Sequence, residues 1–335
     1  MIEYRDAVYF LDRKNIELFL QKYDLSLEKD VEYTIIAEDE GKIVGTGSVS
    51  GSVLKCFAID NEYRNMAITN TIISKLIDFE FNRGITHLFI FTKPDNSKIF
   101  NDFGFDLVAK VDEVALLDNK IEKLHTILED LHNSNEENSK TGIIVINANP
   151  MTLGHLKLIE EASKQVEKLH VFMVSEDESD FPYEFRYEIV KNAIGPLLNV
   201  ILHRGNEYII SKNTFPTYFY KDTETVIKSY SYLDIKIFAE YFVKALNVKK
   251  RFVGTETSDV VTREYNSAMK EILPEYGVEV VEIERFKING EVISASKVRK
   301  LLRDGKLKEA YTYLPEATIE ALKSDCGKKL IEGLK

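Results

Sequence analysis

A chain of 335 residues with 44% hydrophobic content is long enough to bury the cores of two ordinary domains. Its net charge of -11 excludes a nucleic-acid partner or an anionic membrane surface, either of which needs a net basic face. Cys56 and Cys326 are the only cysteines, too few for a disulfide framework or a zinc cluster; no apolar run reaches a membrane span, and MIEYRDAVYF lacks a signal-peptide layout, so a soluble cytoplasmic protein is expected.

Residues 1–117 read as a first domain. Glu32 to Glu38 and Ile43 to Val49 alternate as a hairpin around Asp39-Glu40-Gly41-Lys42, and Val53 to Ile59 supplies a third strand. A helix is predicted from Ala67 to Asn82, then a strand from His87 to Phe91, a short helix near Ser97 to Asn101, and a last strand ending at Leu117. This order resembles the GNAT acetyltransferases, in which an Arg/Gln-x-x-Gly-x-Gly/Ala stretch opens a helix on the pyrophosphate of coenzyme A. Here the stretch is Arg64-Asn65-Met66-Ala67-Ile68-Thr69, with neither glycine. A cradle built from backbone N–H groups needs close approach that glycine permits, so the loss weakens any grip on free acetyl-coenzyme A. Arg64 is the residue expected to keep a phosphate contact.

Residues 118–140 read as a linker. Its first half repeats Ile121, Leu124, Leu128 and Leu131 at helical spacing, and its second half, NSNEENSK, is polar throughout.

The second domain, 141–335, opens with a β-branched strand to Ile146, a break at Asn147-Ala148-Asn149-Pro150, and a helix marked by Leu153, Leu156, Ile159 and Val166. A turn at a strand's carboxyl end followed by a helix start is where an open α/β sheet binds anions. Gly154 leaves room there for a phosphate, and His155 stands beside it. Further strands are expected at Leu169 to Val174, Val200 to His203, Tyr208 to Ser211, Lys250 to Gly254 and Val278 to Ile283. Helices are expected at Tyr183 to Ile194, Asp234 to Leu246, Val260 to Ile272 and Lys297 to Arg303. Strands alternating with helices predict a doubly wound parallel sheet, α/β in class, with Asn147, Gly254 and Ser294 on one carboxyl edge. His170 and His203 read as packing residues at strand ends. Arg186 and Lys212 read either as cations of the pocket or as surface charges.

Thr152-Leu153-Gly154-His155 resembles the T/H-x-G-H signature of the nucleotidyltransferases, with Asn149-Pro150 where many members have Asp-Pro. Ile293-Ser294-Ala295-Ser296-Lys297-Val298-Arg299 is similar to their I-S-S-T-x-x-R. Together with YIISKNTFPTYF (Tyr208 to Phe219), Gly254-Thr255-Glu256 and Tyr265 to Met269, and with the acetyltransferase-like first domain, the whole chain resembles the [citrate (pro-3S)-lyase] ligases. That resemblance implies an acid-thiol ligase using ATP, Mg2+ and acetate to acetylate the prosthetic-group thiol on the acyl-carrier subunit of citrate lyase. Acetyl-adenylate would be the intermediate, with AMP and pyrophosphate released. It implies catalytic roles for His155, Thr152 and Lys212, and nucleotide contacts from Asn147, Ala148, Asn149, Pro150, Gly154, Arg186, Gly254, Glu256, Ser294, Ser296 and Arg299. The bland reading of Ser294 and Ser296 is as helix caps alone. The alternative function is a nucleotidyltransferase adenylylating a phosphorylated acceptor such as a pantetheine or nicotinamide nucleotide; a nucleotide-binding docking protein without turnover is a third.

Overall fold

The computed structural model describes residues 1–27, 31–63, 67–133, 140–175, 179–211, 223–256 and 260–334. The chain forms two compact units, one made of Met1–Ile127 and Asn213–Ile237, the other of Leu128–Lys212 and Phe238–Lys335.

The first unit is built on a seven-stranded sheet of β1 (Glu3–Asp6), β2 (Tyr33–Asp39), β3 (Lys42–Ser50), β4 (Val53–Ile59), β5 (Phe89–Thr92), β6 (Asp106–Lys110) and β7 (Ala115–Asp118), in the order β1-β2-β3-β4-β5-β7-β6. All pairings are antiparallel except β4 with β5, and that parallel pair is held only at Val53 with Phe89 and Leu54 with Ile90. The helix Ile68–Asn82 lays Ile68, Ile72, Ile73 and Leu76 on the sheet. Its approach is close: a Cβ on Gly47 would collide with Ile72, so only glycine lets β3 pass beneath that helix. Ala67, at the amino end of this helix, has φ 54°, the left-handed conformation that glycine adopts without penalty. Thus Ala67 keeps a glycine conformation at a position where the sequence has lost the glycine.

Three features of this unit depart from the sequence reading. β1 and the helix Tyr9–Gln21 went unpredicted: β1 is four residues long, and the helix carries exposed Phe10, Leu11 and Leu18 in addition to buried Ile16, Phe19 and Leu20, which blurs its apolar stripe. The expected last strand is two strands, β6 and β7. The connector's apolar repeat, by contrast, forms the helix its spacing predicts, Ile121–Asn133.

The second unit holds a five-stranded sheet of β8 (Thr141–Ile146), β9 (Lys168–Met173), β10 (Val200–His203), β11 (Val248–Gly254) and β12 (Glu279–Ile283). The order is β10-β9-β8-β11-β12 and every pairing is parallel. Ile144, Ile146, Val171 and Met173 form one core with Ile159 and Ala162 of the helix Leu153–Ser163 and Ile189, Val190 and Ile194 of the helix Tyr183–Ile194. A small antiparallel pair, β13 (Lys287–Ile288) and β14 (Glu291–Val292), leads into the helix Ala295–Arg303. Helices Leu307–Tyr311, Glu316–Lys323 and Asp325–Gly333 then close a second core around Phe181, Ile293, Val298 and Leu302.

Residues 207–210 form a turn, not the strand expected from their aromatic and β-branched content. Tyr208 and Ile209 are buried all the same, Asn206 Oδ1 accepts from the Tyr208 N–H at 2.9 Å, and Ile210 sits at φ 44°, which no strand accommodates. The helix expected over Asp234 to Leu246 is instead Thr223–Ile237, a widened turn over Phe238–Phe242, and a final turn at Val243–Ala245. Among the described residues no helix is long and apolar enough to cross a membrane.

Candidate active site

Strand order decides where a ligand can sit. β8 is followed in sequence by β9 on one side, and the chain returns to β11 on the other, so the topological switch point lies between the carboxyl ends of β8 and β11. Both sequence motifs converge there. β8 ends in the turn Asn147–Pro150, which is buried except at Asn147, and Ala148 bends it with a left-handed φ of 50°.

Arg186 holds that turn from beneath. It is fully buried; Nη1 donates to the Asn147 carbonyl at 2.6 Å and to Asn147 Oδ1 at 2.7 Å, while Nε donates to the Phe181 carbonyl at 3.0 Å. Such a guanidinium is neither a surface charge nor open to a phosphate. Its geometry makes it a positioning residue for Asn147.

Thr152 caps the next helix reciprocally with His155. The Thr152 hydroxyl accepts from the His155 N–H, and the Thr152 N–H donates to His155 Nδ1 at 3.0 Å. A backbone N–H can only donate, so Nδ1 is the acceptor and the imidazole proton rides on Nε2. Enclosure of the ring, and secondarily the charge of Arg285, push His155 down to about 4, which keeps it neutral at physiological pH. The Leu153 N–H is spent on the Tyr313 carbonyl at 2.9 Å and the Leu156 N–H on Thr152. Among the described residues the Gly154 N–H alone of this first turn has no protein acceptor, so it and Nε2–H of His155 are the donors left for a ligand. A Cβ on Gly154 would meet Thr152 and Ile293 only at ordinary contact distances of 3.5 Å and beyond, so packing does not demand glycine. The turn's underside is fixed by Thr318, fully buried, whose hydroxyl donates to the Met151 carbonyl at 2.9 Å.

The second motif caps its helix through Ser294, whose hydroxyl accepts from the Lys297 N–H at 3.2 Å. Ser296 is exposed beside it. Arg299 joins the two motifs: Nη1 donates to the Asn149 carbonyl at 2.6 Å and Nη2 to Ser296 Oγ at 3.4 Å. Its Nε lies 2.6 Å from Asp180 Oδ2, a close ionic contact whose angle is too poor for a hydrogen bond. Across the switch point, Gly254 ends β11, Thr255 N–H donates to the Ile283 carbonyl, and the buried carboxylate of Glu256 pairs with Arg285.

The comparisons with known proteins fit this arrangement. Residues 141–322 match the citrate lyase ligase C-terminal domain, and residues 2–105 match the acetyltransferase (GNAT) family. Over 315 residues the chain is 39% identical to the [citrate [pro-3S]-lyase] ligase of Klebsiella pneumoniae, covering 92% of each. It is 38% identical to the Escherichia coli (strain K12) enzyme of the same name, covering 92% of this chain and 90% of that one, and 37% identical to that of Haemophilus influenzae, covering 93% and 95%. The chain belongs to the citrate lyase ligase family.

As a citrate lyase ligase it is an enzyme with a GNAT-like amino-terminal fold and a nucleotidyltransferase-like parallel sheet. Of the residues singled out from the sequence, Asn147 to Pro150, Thr152, Gly154, His155, Ser294, Ser296 and Arg299 line one carboxyl edge with Gly254 and Glu256. Arg64 and Lys212 lie outside the described residues. Sequence reasoning passed over Asp180, Arg285 and Arg303. A signal existed for Arg285 in this citrate lyase ligase: it follows a predicted strand by two residues, on the edge where charged groups meet ligands.

Proposed function

We propose that the chain joins ATP and acetate to give acetyl-adenylate and pyrophosphate, then passes the acetyl group to the prosthetic-group thiol of the citrate lyase acyl-carrier subunit, releasing AMP. The observation that supports this reading best is the Arg299 link from the second motif to the Asn149 carbonyl of the first, at the switch point of the parallel sheet. It gives one anion site with donors on both sides.

In the first half-reaction a carboxylate oxygen of acetate attacks the α-phosphorus and the bond to the bridging oxygen of pyrophosphate breaks. Charge grows on the non-bridging oxygens and on the leaving group, so catalysis is positioning and electrostatic stabilisation. The Nε2–H of neutral His155 and the Gly154 N–H donate to the α-phosphate; the Ser294 and Ser296 hydroxyls and Arg299 hold the departing pyrophosphate. In the second half-reaction the carrier thiolate attacks the acetyl carbonyl and AMP leaves with the electron pair. Magnesium would offset the charge of the departing pyrophosphate. The carrier arm, an extended dephospho-coenzyme A, would dock in the first unit, whose fold is of the coenzyme-A-binding type and whose β4 and β5 part company after two paired positions.

Acetate-dependent exchange of pyrophosphate into ATP, measured without carrier, tests the first step. Exchange that requires a phosphorylated acceptor instead of acetate would replace this reading with a nucleotidyltransferase.

A further inference from the structure

Asp180 is the one acidic side chain among the described residues in contact with Arg299, and it touches a second arginine as well. Its Oδ2 lies 2.6 Å from Arg299 Nε, and its Oδ1 accepts from Arg303 Nη2 at 3.1 Å. Arg299 and Arg303 are four residues apart on one helix, so their guanidinium groups share a face. A single carboxylate therefore spans two cations on the helix of the second motif.

The backbone of Asp180 is pinned on both sides. Ser179 Oγ donates to Asn147 Oδ1 at 3.4 Å, and the Phe181 N–H donates to Asn149 Oδ1 at 3.2 Å, with the Phe181 side chain fully buried. The carboxylate is thus aimed at the arginines by the same turn that forms the first motif. An anion bridging two guanidinium groups has the chemistry of a terminal phosphate, and Asp180 and Arg303 keep about 28% and 46% of their side-chain surface open, so each is free to swing.

We infer that Arg303 is a second pyrophosphate-binding arginine beside Arg299, and that Asp180 occupies the phosphate position as a competing anion when the site is empty. This rests on the reading that the second motif holds the pyrophosphate end of ATP. When the nucleotide enters, the Asp180 side chain rotates away and the two guanidinium groups close on the phosphates. When acetyl-adenylate has formed, Asp180 competes for the same cations and helps expel pyrophosphate.

Calorimetric binding of inorganic pyrophosphate and of AMP to the full chain tests this. Arg303→Gln should weaken pyrophosphate by about tenfold, the loss of one charge-assisted contact, and leave AMP within about twofold. Asp180→Asn should bind pyrophosphate several-fold more tightly and release it more slowly in a stopped-flow chase, with unchanged AMP affinity. Unaltered pyrophosphate affinity in Arg303→Gln, or weaker binding in Asp180→Asn with a lowered melting temperature, would make the triad a plain surface ion pair and overturn the inference while leaving the adenylation reading intact. A wild-type chain that binds neither ATP nor pyrophosphate would overturn both.

Discussion

The backbone N–H of Thr152 donates to Nδ1 of His155 and so bears on the role proposed for that ring. An imidazole in this position could act as an acid, as a cation or as a neutral donor, and the Thr152 N–H on Nδ1 selects the last. A folded-state value of about 4 means that protonation would both break that bond and place a charge beside Arg285. His155→Ala should therefore cost acetate-dependent exchange about 100- to 1000-fold, the usual loss for one transition-state donor. The exchange rate of the native enzyme should show no limb from this histidine between pH 5 and 8. Measured pH–rate profiles that fall with an apparent value near 6.5 in the native enzyme, and lose that fall in the alanine variant, would instead make His155 a titrating acid–base group. The residue, its glycine and the arginine of the second motif stand out because their spacing is local. Arg186 stands out only as a cation, read as a nucleotide contact or a surface charge; its place under the turn was hidden, because its side chain meets Asn147, Val174 and Phe181 only after folding.

Elements were legible wherever a β-branched run or a helical stripe was undisturbed, as in β8, β11 and the helix Tyr183–Ile194, and failed where apolar residues served a turn, as at Tyr208 and Ile209. The strand pair β9–β10 carries a consequence that sequence alone could not supply. His170, fully buried inside β9 and not at its end, lies 2.8 Å through Nδ1 from Nε2 of His203, which closes β10 and stacks on Phe172. His170 Nε2 has no hydrogen-bond partner among the described residues. Burial, and for His170 also the neighbouring His203 and Lys168, lowers these two histidines to about 3 and about 4. Both fall below the unfolded value near 6.5, so the unfolded chain binds more protons at intermediate pH. The stability they protect is whole above pH 6.5 and is lost as pH falls from there towards 4, by at most about 1.4 kcal/mol per pH unit for each histidine. Urea unfolding at pH 7, 6 and 5 should show this slope in the native chain and a shallower one in His170→Phe, which keeps ring volume without a proton site. Equal slopes would assign the acid sensitivity elsewhere.

At the scale of the whole molecule, the helix Thr223–Ile237 belongs with the first unit although it stands in the carboxyl-terminal half of the sequence, and no periodicity could have announced that. Its buried Leu233, Ile235 and Ile237 would lose their packing in a fragment starting at residue 140, so cutting the chain is a poor way to ask what the first unit does. The two proposed half-reactions offer a way to test the units without cutting. If the first unit docks the carrier arm and the second makes the adenylate, a soluble mimic of the arm should block only the transfer. Ala67 holds a left-handed φ of 54° where acetyltransferases have glycine, and its Cβ would crowd a phosphate brought to that backbone; weak binding of a free mimic and adequate binding of a protein-tethered arm are the expectation. Dephospho-coenzyme A at millimolar concentration should therefore compete with the acyl-carrier subunit in acetyl transfer, raising the carrier's apparent KM, and leave acetate-dependent pyrophosphate exchange unchanged. Ala67→Gly should lower the inhibition constant, because it removes the Cβ that would crowd the phosphate. Inhibition of exchange and transfer to the same degree would put the mimic in the nucleotide site and leave the first unit without a docking role.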